Sequence, residues 1–302
     1  ALEQGGPPVV GHDGDDDRRA HAVGAISLHR AADYKLLSMS APSAFRDSSS
    51  VLVVAHPGHE LRVHGWLTRT RPRVLVLTDG SGHTGTSRLD SSARIVAEAK
   101  AAPGCLFGSL SDREAYRAVL SGDLDFFAAL ARRIAEELGS PAVDTVVGDA
   151  AEGYNPMHDI CRFLIDAAAA LADRERPGPL RLYDFPLAGP PRPAGFQAPR
   201  DGVCLRLSEE EFARKLAAAR SYAPLDGDIA AALREHGEES FRLECLRSLE
   251  RGRPFLIRQP PFYETYGEKQ VAAGHYAKVV RYQEHVRPIE EALRKLSHGR
   301  SG

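Results

Sequence analysis

The chain lacks any run of about 18 apolar residues, so no segment of it reads as a membrane-spanning helix. It also lacks a basic cluster followed by an apolar core at its start, which leaves nothing to direct export, and a cytoplasmic location is expected. Cysteine is sparse: Cys105, Cys161, Cys204 and Cys245 lie far apart with no C-x-x-C pair. That spacing argues against a zinc ribbon, a redox dithiol or a disulfide scaffold, and buried free thiols are expected. An excess of positive charge is missing too. The 39 Lys and Arg against 41 Asp and Glu leave a net charge of -2, without the basic field that a phosphate backbone requires, so nucleic acid is excluded as the main partner. No internal repeat is present. What remains, 302 residues with 43% hydrophobic and 26% charged content, is an ordinary globular composition large enough for a substantial core.

Residues 1–48 differ from the rest, with Gly-Gly-Pro-Pro near the start, an acidic cluster at Asp13 to Asp17 and a Ser-rich stretch before the first valine run. They read as an N-terminal extension, and residues 49–302 as a single domain. From Val51 onward, apolar runs alternate with helical periodicity. Strands are predicted at Val51–Ala55, Val74–Thr78, Val143–Val147 and Leu180–Asp184, with a weaker one at Cys105–Phe107; helices are predicted at Glu60–Arg69, Leu89–Ala102, Leu124–Leu138 and His158–Ala172. Alternation at this spacing predicts an α/β fold, a Rossmann-like, mostly parallel sheet with helices on both faces and a helical C-terminal portion. In the last third, the capping box at Ser208 to Glu211 opens a helix to about Tyr222. Further helices are expected near Ile229–Glu235, Glu239–Leu249 and Tyr276–Leu296, with loops or short strands at Pro186–Pro199 and Arg253–Glu268.

The densest chemistry lies in VLVVAHPGHE, Val51 to Glu60. The valine run reads as a strand buried on both faces, and Pro57-Gly58 stops it, so His56, His59 and Glu60 fall in the loop at its carboxyl end. In an open parallel sheet ligands bind at that edge, and His-x-x-His on a tight turn can aim two nitrogens at one metal ion. Two further polar sets follow predicted strands: Asp79, Ser81 and His83 after the second, and Asp149, Glu152, Tyr154, His158 and Asp159 after the run at Val143. Neighbouring parallel strands would bring all three sets to one edge.

With these residues in view, VLVVAHPGHE, then VLVLTDG, DTVVGDAAEGYNPMHD and RLYDFP, the stretch from Val51 to Pro186 resembles the LmbE/PIG-L family of zinc-dependent N-deacetylases. The resemblance implies a Rossmann-like sheet with one zinc ion at its carboxyl edge and removal of an acyl group from an amino sugar or related small molecule. It also exposes departures. The family's first motif is usually Ala-His-Pro-Asp-Asp-Glu, with the histidine and second aspartate on zinc and the first aspartate as general base; here those places hold His56, His59 and Gly58. In the second motif the usual His-Pro-Asp-His reads Asn155-Pro156-Met157-His158, which keeps His158 as the implied ligand.

His56, His59 and His158 would make a three-imidazole zinc site with a fourth position open, and zinc so bound can lower its water's pKa to about 7. The departing nitrogen still needs a proton, for which Asp79, His83, Glu152, Tyr154 and Asp159 are the candidates, with Asp79 first because it directly ends the second strand and should point at the same edge. Asp79 has an equally good structural role, capping the turn that follows it. Glu60 suits a first helical turn and a hydrogen bond behind a ligand imidazole. His64 is expected to be solvated and Cys161 to be a buried thiol. Phe262, Tyr263 and Tyr266 could close over a substrate or serve as core. The rival readings are two. Gly80-Ser-Gly-His-Thr-Gly85 matches G-x-G-x-x-G after a strand, but no helix opens directly on it and no acidic strand end follows about 20 residues on. The other rival is a non-hydrolytic or altered-chemistry relative of the same fold that binds a sugar or natural-product intermediate, because the base position is Gly58. The expected partner is a small N-acylated molecule, with neither nucleic acid nor membrane involved.

Overall fold

The computed structural model describes residues 49–299 apart from 83, 84, 199, 253, 254 and 256, so the N-terminal extension and His83 lie outside the described residues. The valine-rich runs form β1 (Ser49–Val54) and β2 (Arg73–Thr78), each buried for five of its six residues, as expected of strands covered on both faces. Between them a 3₁₀ turn at His59–Val63 leads into α1 (His64–Thr70). Then follow α2 (Leu89–Glu98), β3 (Ala102–Leu110), α3 (Asp112–Ser121), α4 (Leu124–Leu138), β4 (Val143–Asp149), α5 (Pro156–Ala172) and β5 (Arg181–Phe185). The last third supplies β6 (Gly202–Arg206), α6 (Glu209–Arg220), α7 (Asp226–His236), β7 (Leu243–Ser248), α8 (Phe262–Ala272) and α9 (Arg287–His298).

The strands make one sheet in the order β3-β2-β1-β4-β5-β7-β6. The pairs from β3 to β5 are parallel, and β7 joins both β5 and β6 antiparallel. Alternate residues face opposite layers. Val51 and Val53 of β1 belong to the core shared with α3, α4, α5 and α9, whereas Leu52 and Val54 belong to the core under α1 and α2. The predicted α/β class with a helical carboxyl-terminal portion is what the chain adopts. Because β1 lies between β2 and β4, and the chain winds outward in both directions from it, the carboxyl ends of β1 and β4 flank the topological switch point, where open α/β sheets leave a crevice.

Several expectations are corrected. The segment Glu239–Leu249 is a 3₁₀ turn at Glu238–Arg242 followed by β7, because pairing with β5 and β6 outweighs its local helical character. Arg253–Glu268 contains the start of α8, and the long helix from Tyr276 begins only at a π turn over Tyr282–Val286 before α9. His64 is buried rather than solvated, at 6% exposure. Cys204 and Cys245 form a disulfide instead of remaining free thiols: they are register partners across β6 and β7, a neighbourhood that 41 residues of sequence separation conceal. Cys161 is a buried free thiol, as expected, whereas Cys105 is exposed.

One buried ion pair ties the C-terminal third to the sheet. Glu244 on β7 accepts from Lys215 of α6 at 2.8 Å and from the backbone N–H groups of Gly65 and Trp66 at 2.8 Å each. The carboxylate therefore caps the first turn of α1 from a distant strand, satisfying amide donors that lack partners within the helix. No described helix is long and apolar enough to cross a membrane.

Candidate metal and substrate site

Beyond Val54 the chain turns sharply, and two features hold the turn. Ala55 donates its N–H to Asp149 Oδ2 at 2.7 Å, pinning the end of β1 to the last residue of β4. Gly58 takes φ 105°, in the region that side chains avoid, and donates to Glu60 Oε2 at 2.8 Å and Ser92 Oγ at 3.0 Å. A Cβ at Gly58 would stand 2.3 Å from Leu225 Cδ1. Glu60 is wholly buried; Ser92 donates to its other oxygen at 2.5 Å, and the Tyr222 hydroxyl lies 3.0 Å from Ser92 Oγ. Burial pushes the Glu60 carboxyl up, against the hydrogen bonds that favour its charged form. Glu60 thus braces the loop, consistent with the structural role expected of it.

That loop and the start of α5 bring three imidazoles together. Ring centroids lie 5.4 Å apart for His56 and His59, 5.4 Å for His56 and His158, and 4.6 Å for His59 and His158. His56 Nδ1 lies 2.8 Å from Thr78 Oγ1 and 3.1 Å from Asp112 Oδ1. Since Thr78 Oγ1 donates onward to the Ala55 carbonyl and an ionised carboxylate only accepts, the hydrogen of His56 sits on Nδ1. Nε2 then carries the lone pair, and it is buried without a hydrogen-bond partner. His59 Nδ1 lies 2.9 Å from Asp149 Oδ2, which fixes the same tautomer there. Two imidazoles backed by two carboxylates is the arrangement by which proteins orient histidine ligands toward a metal.

Burial and the neighbouring charges set the electrostatics of His59 and of the two carboxylates. Burial, reinforced by the neighbouring His56, lowers His59 well below the usual imidazole range. Asp149 is pushed up to about 6 by burial, against the pull of His158 and the Ala55 amide. At Asp112 burial also acts upward, but the His56 charge and hydrogen bonds from His56 and the Gly82 N–H outweigh it and hold the carboxyl below its ordinary range. His158 stands in the first turn of α5, whose N-cap Asn155 accepts from the Met157 N–H at 2.8 Å and from the Tyr116 hydroxyl at 3.1 Å.

The donor set fits a divalent metal in kind: three imidazoles, two of them backed by carboxylates, are ligands that zinc accepts. As the side chains stand, however, no three His, Cys, Asp or Glu residues among the described residues are arranged with their donors gathered to hold an ion.

Three of the proton-donor candidates separate. Tyr154 lines the cavity beside the histidines and stacks on Phe262, with ring centroids 5.1 Å apart and planes 4° from parallel. Asp79 accepts from the Ser81 N–H at 2.9 Å and the Asp112 N–H at 3.1 Å, the turn-capping role open to it from the outset. Asp159 accepts from the N–H groups of Glu152 and Gly153 at 2.9 and 3.0 Å, and burial pushes it up to about 7. Asp112 and Arg88, both in the cavity wall, escaped the sequence reading. The signal for Asp112 was available in Ser111-Asp-Arg-Glu114, whose capping box opens the unpredicted α3; nothing near Arg88 marks it.

No protein-family model matches the chain, and no curated protein does. Among solved structures it is similar to the conserved protein TT1542 from Thermus thermophilus, at 20% identity over 70% of this chain and 97% of that one, with a TM-score of 0.45. It is also similar to the zinc-inhibited form of teicoplanin deacetylase Orf2, at 15% identity over 67% of this chain and 99% of that one, with a TM-score of 0.43.

Proposed function

We propose that the protein is a metal-dependent hydrolase that removes an acyl group, acetyl in the simplest case, from the amide nitrogen of an amino sugar or similar small molecule. The observation that carries this reading is the meeting of His56, His59 and His158 at the switch point of the sheet, with Asp112 and Asp149 behind the first two. Zinc held by three neutral imidazoles would supply Lewis acidity toward the acyl carbonyl and bring a water's pKa to about 7, the property that matters most where Gly58 offers no base.

The remaining work belongs to the chain itself. Asp112 and Asp149 keep His56 and His59 in the tautomer that presents Nε2, so no change of tautomer is needed when a metal binds. Tyr154, which lines the same cavity as the histidines, would serve as the proton donor for the departing amine, a step worth about 10²- to 10⁴-fold. Arg88 contributes positive charge to the wall in which the tetrahedral oxyanion would develop. The stacked Tyr154 and Phe262 rings offer an apolar platform for one face of a sugar.

A second reading keeps the binding site without hydrolysis. It is favoured by the side chain of Leu225 filling the space in which any residue larger than glycine at position 58 would have to project. Elemental analysis of the purified full chain, with His56→Ala and His158→Ala alongside, and detection of free primary amine from a panel of N-acetylhexosamine derivatives separate the two. One zinc per chain, lost in both variants, together with amine release supports the hydrolase. Zinc at full occupancy with silence across the panel favours the binder, and an absence of metal in the unmodified protein overturns the metal site.

A further inference from the structure

The cavity that holds the histidines, about 450 Å³, continues past them into an apolar arm walled by Leu216 and Ala219 of α6, Leu225, Ile229 and Leu233 around α7, and Phe241. Its beginning is at the metal loop itself, since Leu225 presses on Gly58, between His56 and His59. The helix α7 is unusual within this fold in having no buried residue. Ile229, Ala232 and Leu233 share one face of it, at the i, i+3, i+4 spacing. That face is half-buried: it packs in part on Leu216 and Phe241 and otherwise opens onto the cavity. An eleven-residue helix draws its stability from covering such a face rather than from propensity, and here part of the cover is missing.

Cations near the arm do not call for an anionic ligand. Arg62 donates to the carbonyls of Pro186 and Gly189 at 3.1 and 2.7 Å, and Lys215 donates to Glu244 and the Arg62 carbonyl at 2.8 and 2.9 Å. Both are committed within the protein; Asp228, Glu235 and His236 of α7 also line the cavity, but the contiguous wall of Leu216, Leu225, Ile229, Leu233 and Phe241 is one that hydrocarbon would cover.

We propose that the substrate carries an apolar chain that fills the arm between α6 and α7 while its amide lies at the three histidines. The inference rests on the hydrolase reading for the position of the amide, but the arm itself makes a separate claim about binding. Its source, the acyl group or the aglycone, is decided by experiment. The zinc-loaded full chain is assayed with glucosamine N-acylated by acetyl, butanoyl, octanoyl and dodecanoyl groups, and with methyl, butyl and octyl glycosides of N-acetylglucosamine.

In one of the two series kcat/KM is expected to climb by about fourfold per methylene, the equivalent of about 0.8 kcal/mol each, until the arm is full. Ala232→Trp, which narrows the arm from a half-buried helix position, should flatten that climb within its own series while the far-UV circular dichroism of the variant stays unchanged. Rates independent of chain length in both series overturn the proposal. If no member is turned over, the hydrolase reading is what has failed, and calorimetric titration with plain alkyl glucosides decides the arm. Affinity rising with alkyl length in the unmodified protein but not in Ala232→Trp supports it; no dependence overturns it.

Discussion

Gly58→Ala is the most direct probe of how the histidine loop is built. The backbone at φ 105° costs an L-residue about 1–2 kcal/mol relative to glycine. The new methyl would also meet Leu225 Cδ1 at 2.3 Å, with the buried Tyr222 ring behind it at 3.5 Å, so Leu225 must move into the arm, an overpacking cost of about 1–3 kcal/mol. The total expected loss is about 2–5 kcal/mol. Leu225 is a flexible, half-buried side chain, so Leu225→Ala in the same molecule should remove the packing part and leave only the backbone part. Urea unfolding of the two single variants and the double variant measures this, with the midpoint shifting at constant slope. A coupling between the two sites below about 0.5 kcal/mol, or a Gly58→Ala variant within about 0.5 kcal/mol of the parent, would refute the claim that Leu225 occupies the space in front of position 58.

Three further outcomes are expected. Asp112→Asn removes the carboxylate that holds the His56 tautomer and should weaken zinc binding by about 10- to 100-fold in competition with a chelator. Glu244→Ala strands Lys215 in the interior and uncaps α1, so a loss of about 3–5 kcal/mol is expected in urea unfolding; a loss under about 1 kcal/mol would show that the pair is solvated. Reducing Cys204–Cys245, which closes a loop of 41 residues, should cost about 4 kcal/mol, and thiol titration should find two free thiols in the unfolded, unreduced chain and four after reduction.

The parallel part of the fold was legible because its code is local. A valine run that ends in Pro-Gly is buried wherever it lies, and α4 occupies the predicted Leu124–Leu138 because an apolar stripe and an Asp123 cap bound it on the spot. The antiparallel edge was not legible. The residues of β7 carry no signal that outweighs helical propensity until β5 and β6 lie alongside, and the Cys204–Cys245 bond exists only because register sets those residues opposite each other. The same division runs through the site. His56, His59 and His158 could be picked out because each follows a strand, and strand ends converge in any parallel sheet. Asp79 stood first among the proton donors by its place at a strand end, yet the structure turns it to backbone amides and Tyr154 to the cavity.

Order along the chain therefore determined the class of fold, the edge at which chemistry gathers and the three imidazoles that meet there, because strand direction and side-chain type are written residue by residue. Tertiary structure alone decided which carboxylates stand behind those imidazoles, that Leu225 closes over Gly58, and that α6 and α7 leave an apolar arm open beside them. Each of those facts is a distance between segments remote in sequence, set by how layers pack and not by what any one segment prefers.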